Sequence, residues 1–171
     1  MQIFVEQLTE KAFAEFGRVL SKPAECQPSV TSAISASWLG TSDLMGIGAQ
    51  PAKQVTFLEI YARPKQFDTV ERHVSSAEAF IPLEGFSILL VAPPEATDEL
   101  DRPDMRRARA FIFDGSRGIL MRPGTWHALP YTLTPRCSIL VLVDDRILPN
   151  NDLHISPVEP IQFVFAGDLA E

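Results

Sequence analysis

A chain of 171 residues, 46% of them hydrophobic and 22% charged, has the size and composition of one globular domain that buries its own core, which excludes a disordered chain. The formal net charge of -7 argues against the basic face that a nucleic-acid or anionic-membrane partner requires. No stretch reaches the roughly 18 apolar residues of a membrane span, and Met1 to Glu6 lacks the basic region and apolar core of an export signal, so the expected location is the cytoplasm.

In chain order, Thr9 to Phe16 reads as a short helix. Thr9 is a good N-cap, Leu8 and Phe13 can form a hydrophobic staple, and Gly17 is a natural stop. Val19 to Pro28 reads as strand then loop, and Val30 to Gln50 is rich in Ser, Thr, Ala and Gly with little helical period. Gln54 to Ala62 alternates as a strand, with Val55, Phe57, Glu59 and Tyr61 on one face and Thr56, Leu58 and Ile60 on the other. Phe67 to His73 continues extended. Phe86 to Val91 suits a strand buried on both faces, ended by Pro93-Pro94. The charge run from Ala96 to Arg109 is expected as a solvated loop. Ala110 to Phe113 and Gly118 to Met121 flank an Asp114-Gly115 turn signal and are expected to form a hairpin. Ser138 to Val143 and Ile161 to Phe165 complete the set. The 14 prolines and 9 glycines fall between these short strands, the pattern of an antiparallel sandwich or barrel in a single domain, 1–171. Cys26 and Cys137 share no metal-binding or redox spacing and are expected to be reduced thiols.

The chemistry concentrates between Glu71 and Gly85 and again between Arg122 and His127. Glu71 and His73 stand two apart, so on a strand both leave the same face. Glu78 follows at a distance that a short reversal can fold back toward them. His127 follows a Pro-Gly turn in a second strand segment, so the two segments can deliver one inward-facing cluster. Glu71, His73, Glu78 and His127 form a mixed nitrogen and oxygen donor set suited to nickel, manganese, iron or zinc. They are equally competent as metal-free acid/base groups, with Glu78, His127 and His73 as the catalytic candidates. Arg63, Arg109 and Arg122 can grip a carboxylate through two parallel donors. Arg72 lies between Glu71 and His73 and points to the opposite strand face, where a salt bridge competes with a substrate role. Trp126 either fills the core, meets a second subunit or lines the substrate site. His154 falls in a polar stretch and is expected to be solvated.

These two segments resemble the cupin superfamily. Its first motif runs H-x-H-x(3,4)-E-x(6)-G, and Glu71-x-His73-x(4)-Glu78-x(6)-Gly85 has the same spacing with Glu in place of the first His. Its second motif ends P-x-G-x-x-H, and Pro123-Gly124-Thr125-Trp126-His127 is similar with one residue fewer between Pro and Gly. Within that superfamily the chain resembles the ureidoglycolate lyase family. The family block E-R-H-P-x-x-x-Q-A-F-I-P-[LM]-x-G aligns with Glu71 to Gly85 without a gap. Its P-D-L-x-x-L-R-A-F-I block is similar to Pro103 to Ile112, and its G-V-N-Y-x-x-x-x-W-H-H-P-L block to Gly118 to Pro130. Leu8 to Leu20 is similar to the family's opening, and Asp145-Arg146 with Asn151-Asp152 to its D-R-G-G...N-C-E-E ending. The chain departs from the family at Leu120-Met121 for Asn-Tyr, Ala128 for the second His of W-H-H, Glu78 for Gln, and Ile147-Leu148 for Gly-Gly.

The resemblance implies a mainly β, cupin-like antiparallel barrel (double-stranded β-helix or jelly roll) with a short N-terminal helix. It further implies a homodimer, with Trp126 and Ile161 to Phe165 as an apolar contact. The implied reaction is cleavage of ureidoglycolate to glyoxylate and urea in purine breakdown, with nickel as the implied divalent metal. Arg72, Arg63, Arg122, Phe80 and Trp126 are the candidate substrate-binding residues for its small carboxylate. Two alternatives stay open: a metal-dependent cupin enzyme for another small hydroxy or oxo acid, and a non-catalytic small-molecule-binding cupin.

Overall fold

The structure, a computed structural model, describes residues 1–21, 27–31, 36–37, 53–144 and 152–166. Cys26, Asp145 to Asn151 and most of the stretch from 30 to 52 lie outside these residues. The chain runs β1 (Gln2–Gln7), α1 (Glu10–Phe13), β2 (Gly17–Leu20), β3 (Val30–Thr31), β4 (Ala36–Ser37), β5 (Lys53–Tyr61), β6 (Phe67–His73) and β7 (Glu78–Glu84). It continues β8 (Ser87–Ala92), a 3-10 turn (Met105–Arg107), β9 (Arg109–Phe113), β10 (Gly118–Met121), β11 (Trp126–His127), β12 (Tyr131–Thr132), β13 (Arg136–Asp144) and β14 (Leu153–Val164). This is the mainly β class expected, with its short N-terminal helix. Thr9 caps that helix, accepting from the Ala12 amide at 3.1 Å. The helix closes after a single turn, earlier than Phe16, because Phe13 and Phe16 both turn into the core.

Two sheets carry the fold. The larger has strand order β11-β6-β14-β1-β9-β8-β12, the smaller β2-β10-β7-β13-β5. Most pairs are antiparallel, but β1 runs parallel to both β14 and β9. The expected hairpin at Asp114-Gly115 does not form. Gly115 makes the turn, at φ +85°, yet β9 pairs with β8 and β1 while β10 pairs with β2 and β7. The turn therefore carries the chain from one sheet to the other. A turn signal fixes only local direction; which strands pair is decided by burial at long range.

Between the sheets lie Leu8, Phe13, Phe16, Leu89, Val91, Phe111, Phe113, Ile119 and Ile139. Phe13, Phe16 and Phe111 meet at tilted or edge-on angles with centroids 5.4 to 5.8 Å apart, the geometry aromatic quadrupoles favour. A second cluster covers the other face of the larger sheet and contains Phe67, Val70, Ile88, Leu90, Trp126, Ile161 and Phe163. Every residue of β8 is therefore buried. Trp126, Ile161 and Phe163 pack inside the chain itself, so the apolar surface expected there for a second subunit is already used.

The Ala96 to Arg109 run is more ordered than a solvated loop. Thr97 bridges Pro103, Asp104 caps the 3-10 turn, and Met105 and Ala108 pack against the second cluster. Gly17 has one specific task, since a Cβ there would stand 2.0 Å from the Leu120 carbonyl oxygen, so only glycine lets β2 lie this close to β10.

Candidate active site

β6, β7 and β11 supply the four groups. His127 pairs in register with Glu71 across β11 and β6, and Met121 pairs with Glu78 across β10 and β7. Strand alternation does the rest. His127 turns between the sheets, while its neighbours Trp126 and Ala128 turn into the second cluster.

The donor atoms converge. His127 Nε2 stands 3.0 Å from Glu78 Oε2 and 3.5 Å from Glu71 Oε1, and His73 Nε2 stands 3.6 Å from Glu78 Oε2. The two imidazole rings are 5.7 Å apart, and Phe80 meets the His127 ring edge-on at 5.8 Å. His127 Nδ1 lies 3.1 Å from the Thr125 carbonyl, which holds the proton on that nitrogen and aims Nε2 at the carboxylates. His73, Glu78 and His127 are buried, and Glu71 is half-buried at the rim.

Burial pushes the Glu78 carboxyl up, but His127 and His73 outweigh it and bring the group down to about 2. Burial pushes the His127 imidazole down, and Glu71 with Glu78 reverses this and carries it up to about 10. Without a metal the pair is an imidazolium beside a carboxylate.

The donor set fits a divalent cation. Glu71, His73 and His127 each offer one atom, all within 4.8 Å of one another, and Glu78 touches both imidazoles. Glu78 Oε2 and His127 Nε2 are buried without an aligned hydrogen bond despite their short separation, so Glu78 keeps an electron pair directed into the cluster and His127 would offer one there on losing its Nε2 proton. Metal–ligand bonds of about 2.0–2.1 Å put adjacent donors about 3 to 3.5 Å apart. The carboxylate–imidazole separations here are 3.0 to 3.6 Å, and the Glu71, His73 and His127 atoms, within 4.8 Å of one another, would draw in slightly around an ion.

Ser76, Met121, Arg122 and Thr125 complete a narrow recess around Glu78, His73 and His127. It adjoins a wider cleft of about 380 Å³ that shares Met121 and Arg122 and is further lined by Arg18, Ala77 and Leu120. Of the remaining candidates, Arg122 reaches this cleft but is held by two 2.9 Å contacts to Glu95 and one of 2.7 Å to the Glu15 carbonyl. Arg72 points to the opposite side of β6. Its guanidinium lies over the Trp126 ring at 4.6 Å and pairs with Asp101, which also meets His154 at 3.0 Å. Trp126 donates to Thr97 Oγ1 at 3.0 Å on that same side. Arg63 bonds the Leu129 carbonyl beside Tyr131, and Arg109 is tied to Glu6 and the Ala12 carbonyl. The structure thus brings Glu71, His73, Glu78, His127, Phe80 and Arg122 together, and leaves Arg72, Trp126 and Arg63 elsewhere.

Sequence reasoning passed over Arg18, Ser76 and Thr125. Arg18 is exposed, sits opposite Leu120 across β2 and β10, and makes no ion pair with any described residue. No local spacing marks it; only the strand register does. Of the three departures in the Gly118 to Pro130 block, Met121 lines the recess, Leu120 lines the cleft, and Ala128 lies in the second cluster away from both.

Comparison with known proteins assigns most of the chain to one family. The family described as ureidoglycolate lyase matches residues 1–164. A ureidoglycolate lyase of Burkholderia cepacia is 32% identical over 144 residues, covering 82% of this chain and 77% of the relative. That of Pseudomonas fluorescens is 30% identical over 158 residues, covering 89% and 90%. That of Pseudomonas syringae pv. syringae is 28% identical over 145 residues, covering 82% of each. Among solved structures, RmlC from Streptococcus suis in complex with dTDP-D-xylose overlaps with a TM-score of 0.40 at 14% identity, over 78% of this chain and 76% of that one. A match over nearly the full length, with relatives of this identity and coverage, means that the chain belongs to the ureidoglycolate lyase family.

Proposed function

We propose that this protein, working as one cupin-like domain, cleaves ureidoglycolate to glyoxylate and urea at the Glu71, His73, Glu78 and His127 cluster. The observation that carries the reading is the convergence of two imidazoles and two carboxylates in a buried recess of a chain from this family.

Ureidoglycolate is a carbinolamide. Removing its hydroxyl proton lets the carbon–nitrogen bond break as the aldehyde carbonyl forms, and the departing urea nitrogen takes up a proton. The reaction needs a grip on the carboxylate, a base for the hydroxyl and an acid for the leaving nitrogen. Glu71, His73 and His127 would hold a divalent cation such as nickel, with Glu78 as a fourth donor, and that cation would lower the pKa of the hydroxyl. Two carboxylates carry two negative charges, which a single divalent cation cancels, and this charge match supports the assignment. Glu78, held ionised by its neighbours, can accept a proton at neutral pH. In the metal-free alternative His127, held protonated, would instead give its proton to the leaving nitrogen; a His127 that ligates a cation no longer has that proton to give. Arg18 and Arg122 line the cleft through which the substrate would enter and supply the carboxylate grip, Arg18 without giving up an ion pair to any described residue. Phe80 holds the His127 ring in place.

We place the dimer contact on the outer face of the smaller sheet rather than at Trp126. There Phe57, Leu140 and Ile81 stand side by side across β5, β13 and β7, next to Val55. Phe57 is 60% exposed and Val55 65%, a stripe that a second copy would cover. The cytoplasm fits a small-molecule enzyme in which no described helix is long and apolar enough to cross a membrane.

The test is release of urea and glyoxylate from racemic ureidoglycolate by metal-free protein and by protein loaded with nickel, manganese or zinc. Release by a loaded form supports the proposal. Metal binding without release favours another small hydroxy or oxo acid, a reading to which the apolar Met121 in the recess wall gives specific support. Neither binding nor release leaves a non-catalytic small-molecule-binding protein.

A further inference from the structure

Two buried polar atoms beside the cluster have no aligned partner among the described residues, and neither belongs to the donor set. One is Nδ1 of His73, the nitrogen facing away from Glu78. The other is Oδ2 of Asp152. Both residues are only 6% exposed. The backbone places the two residues on adjoining stretches of chain, since the Val74 amide donates to the Asp152 carbonyl at 3.0 Å and Leu153 pairs with His73 across β14 and β6, but the imidazole and the carboxylate do not touch directly. Asp152 cannot swing away easily, because its Oδ1 accepts from the Ser75 amide at 2.6 Å and the Ser75 hydroxyl at 2.5 Å. The second oxygen is thus fixed in place and left without a donor. An unmatched buried oxygen costs about 1–3 kcal/mol, so one next to an unmatched ring nitrogen calls for a joint explanation.

We infer that Asp152 is the positioning residue of His73: its Oδ2 accepts the Nδ1 proton of that ring through one buried water, and so keeps the Nε2 electron pair turned toward Glu78 and the centre of the cluster. The arrangement parallels His127, whose Nδ1 is held by the Thr125 carbonyl, so each imidazole is anchored from behind by a protein oxygen. Burial raises the Asp152 carboxyl, and the Ser75 and Ser76 hydroxyls and the charge of His73 bring it below its ordinary value, as expected of an ionised acceptor beside an imidazole. A carboxylate serving only to cap the Ser75 turn would need one oxygen, and Asp152 presents a second.

The inference rests on the cluster being a site, but its test does not need turnover. In metal-free wild-type protein, nitrogen-15 NMR should show His73 carrying a proton on Nδ1. Asp152→Asn keeps the shape and an oxygen for Ser75 while it can turn an amide N–H toward the ring. It should move the His73 proton to Nε2 and weaken nickel(II) binding, measured by calorimetry with the metal alone, by about 10–100-fold. Where ureidoglycolate is turned over, kcat should fall with little change in KM. An unprotonated Nδ1 in the wild type overturns the inference even if the variant fails to fold. So does a folded Asp152→Asn that keeps the wild-type ring proton and nickel affinity. Loss of lyase activity alone touches only the proposed function.

Discussion

His127 Nε2 lies 3.0 Å from Glu78 Oε2, yet the two atoms are not aligned as donor and acceptor. The attraction between them is one of charge, and each atom's directed electron pair or proton points partly past the other. Such a pair is sensitive to whatever changes either charge, and three of the predictions below use that sensitivity.

The first concerns pH and the stability of the metal-free protein. Glu78 is lowered to about 2, so its stabilising contribution is complete above its ordinary value near 4.5 and is lost as pH falls toward 2. His127 is raised to about 10, so its contribution is complete below its ordinary 6.5 and is lost as pH rises toward 10. Urea unfolding followed against pH in a chelator should give maximal stability from about 4.5 to about 6.5. His127→Gln should remove the alkaline decline. A wild-type curve flat from neutrality to pH 10 would contradict the pairing.

Metal binding should expel a proton. His127 must lose its proton before Nε2 can ligate, so nickel binding near neutral pH should release about one proton and tighten as pH rises. Calorimetry in buffers of different ionisation enthalpy counts that proton directly. His127→Ala should weaken nickel by more than the about 10–100-fold expected for loss of an outer partner.

For turnover, Glu78→Gln and His127→Ala are each expected to lower kcat by about 10²–10⁴-fold, the range for removal of a positioned acid or base. Steady-state urea release is the measurement. Full activity in both variants would remove the cluster from the mechanism.

Arg72 gives the opposite expectation. Its guanidinium lies on Trp126 and binds Asp101, on the far side of β6 from His73. Arg72→Ala should lower stability by about 1–3 kcal/mol through the lost pairing and stacking. KM should stay within a few-fold of wild type. A large rise in KM with unchanged stability would instead place Arg72 at the substrate.

The exposed stripe on the smaller sheet yields a prediction about assembly. Phe57→Glu puts a charge at the centre of the Phe57, Leu140 and Ile81 row and should convert a dimer to a monomer in sedimentation analysis, without unfolding it. A dimer unaffected by this change uses another surface.

Much of the site was legible because strand alternation is local. Glu71 and His73 share a face by spacing alone, and the apolar run Ile88 to Val91 marked a doubly buried strand, although Phe86, expected in it, lies outside and stays exposed. What escaped depends on partners distant in sequence. The Asp114-Gly115 turn looked like a hairpin because turn chemistry cannot say which sheet the next strand joins. For Arg72 a salt bridge and a substrate role both stayed open, and Arg122 looked free for a substrate, until Asp101 and Glu95, each more than twenty residues away, were seen to hold them. Arg18 and Asp152 carry no motif of their own in the alternation, and acquire meaning only from the register that sets them beside Leu120 and His73.

β1 lies parallel between β9 and β14, with Gln2 opposite Gln162 and Glu6 opposite Phe111. Until synthesis reaches β14, the growing polypeptide has an unpaired strand at its start, and the sheet bearing Glu71, His73 and His127 has an open seam. Closure brings together segments some 160 positions apart in sequence, a long-range step that implies slow folding and an interval of exposure to misassociation. The catalytic recess should therefore be among the last parts of the molecule to become rigid.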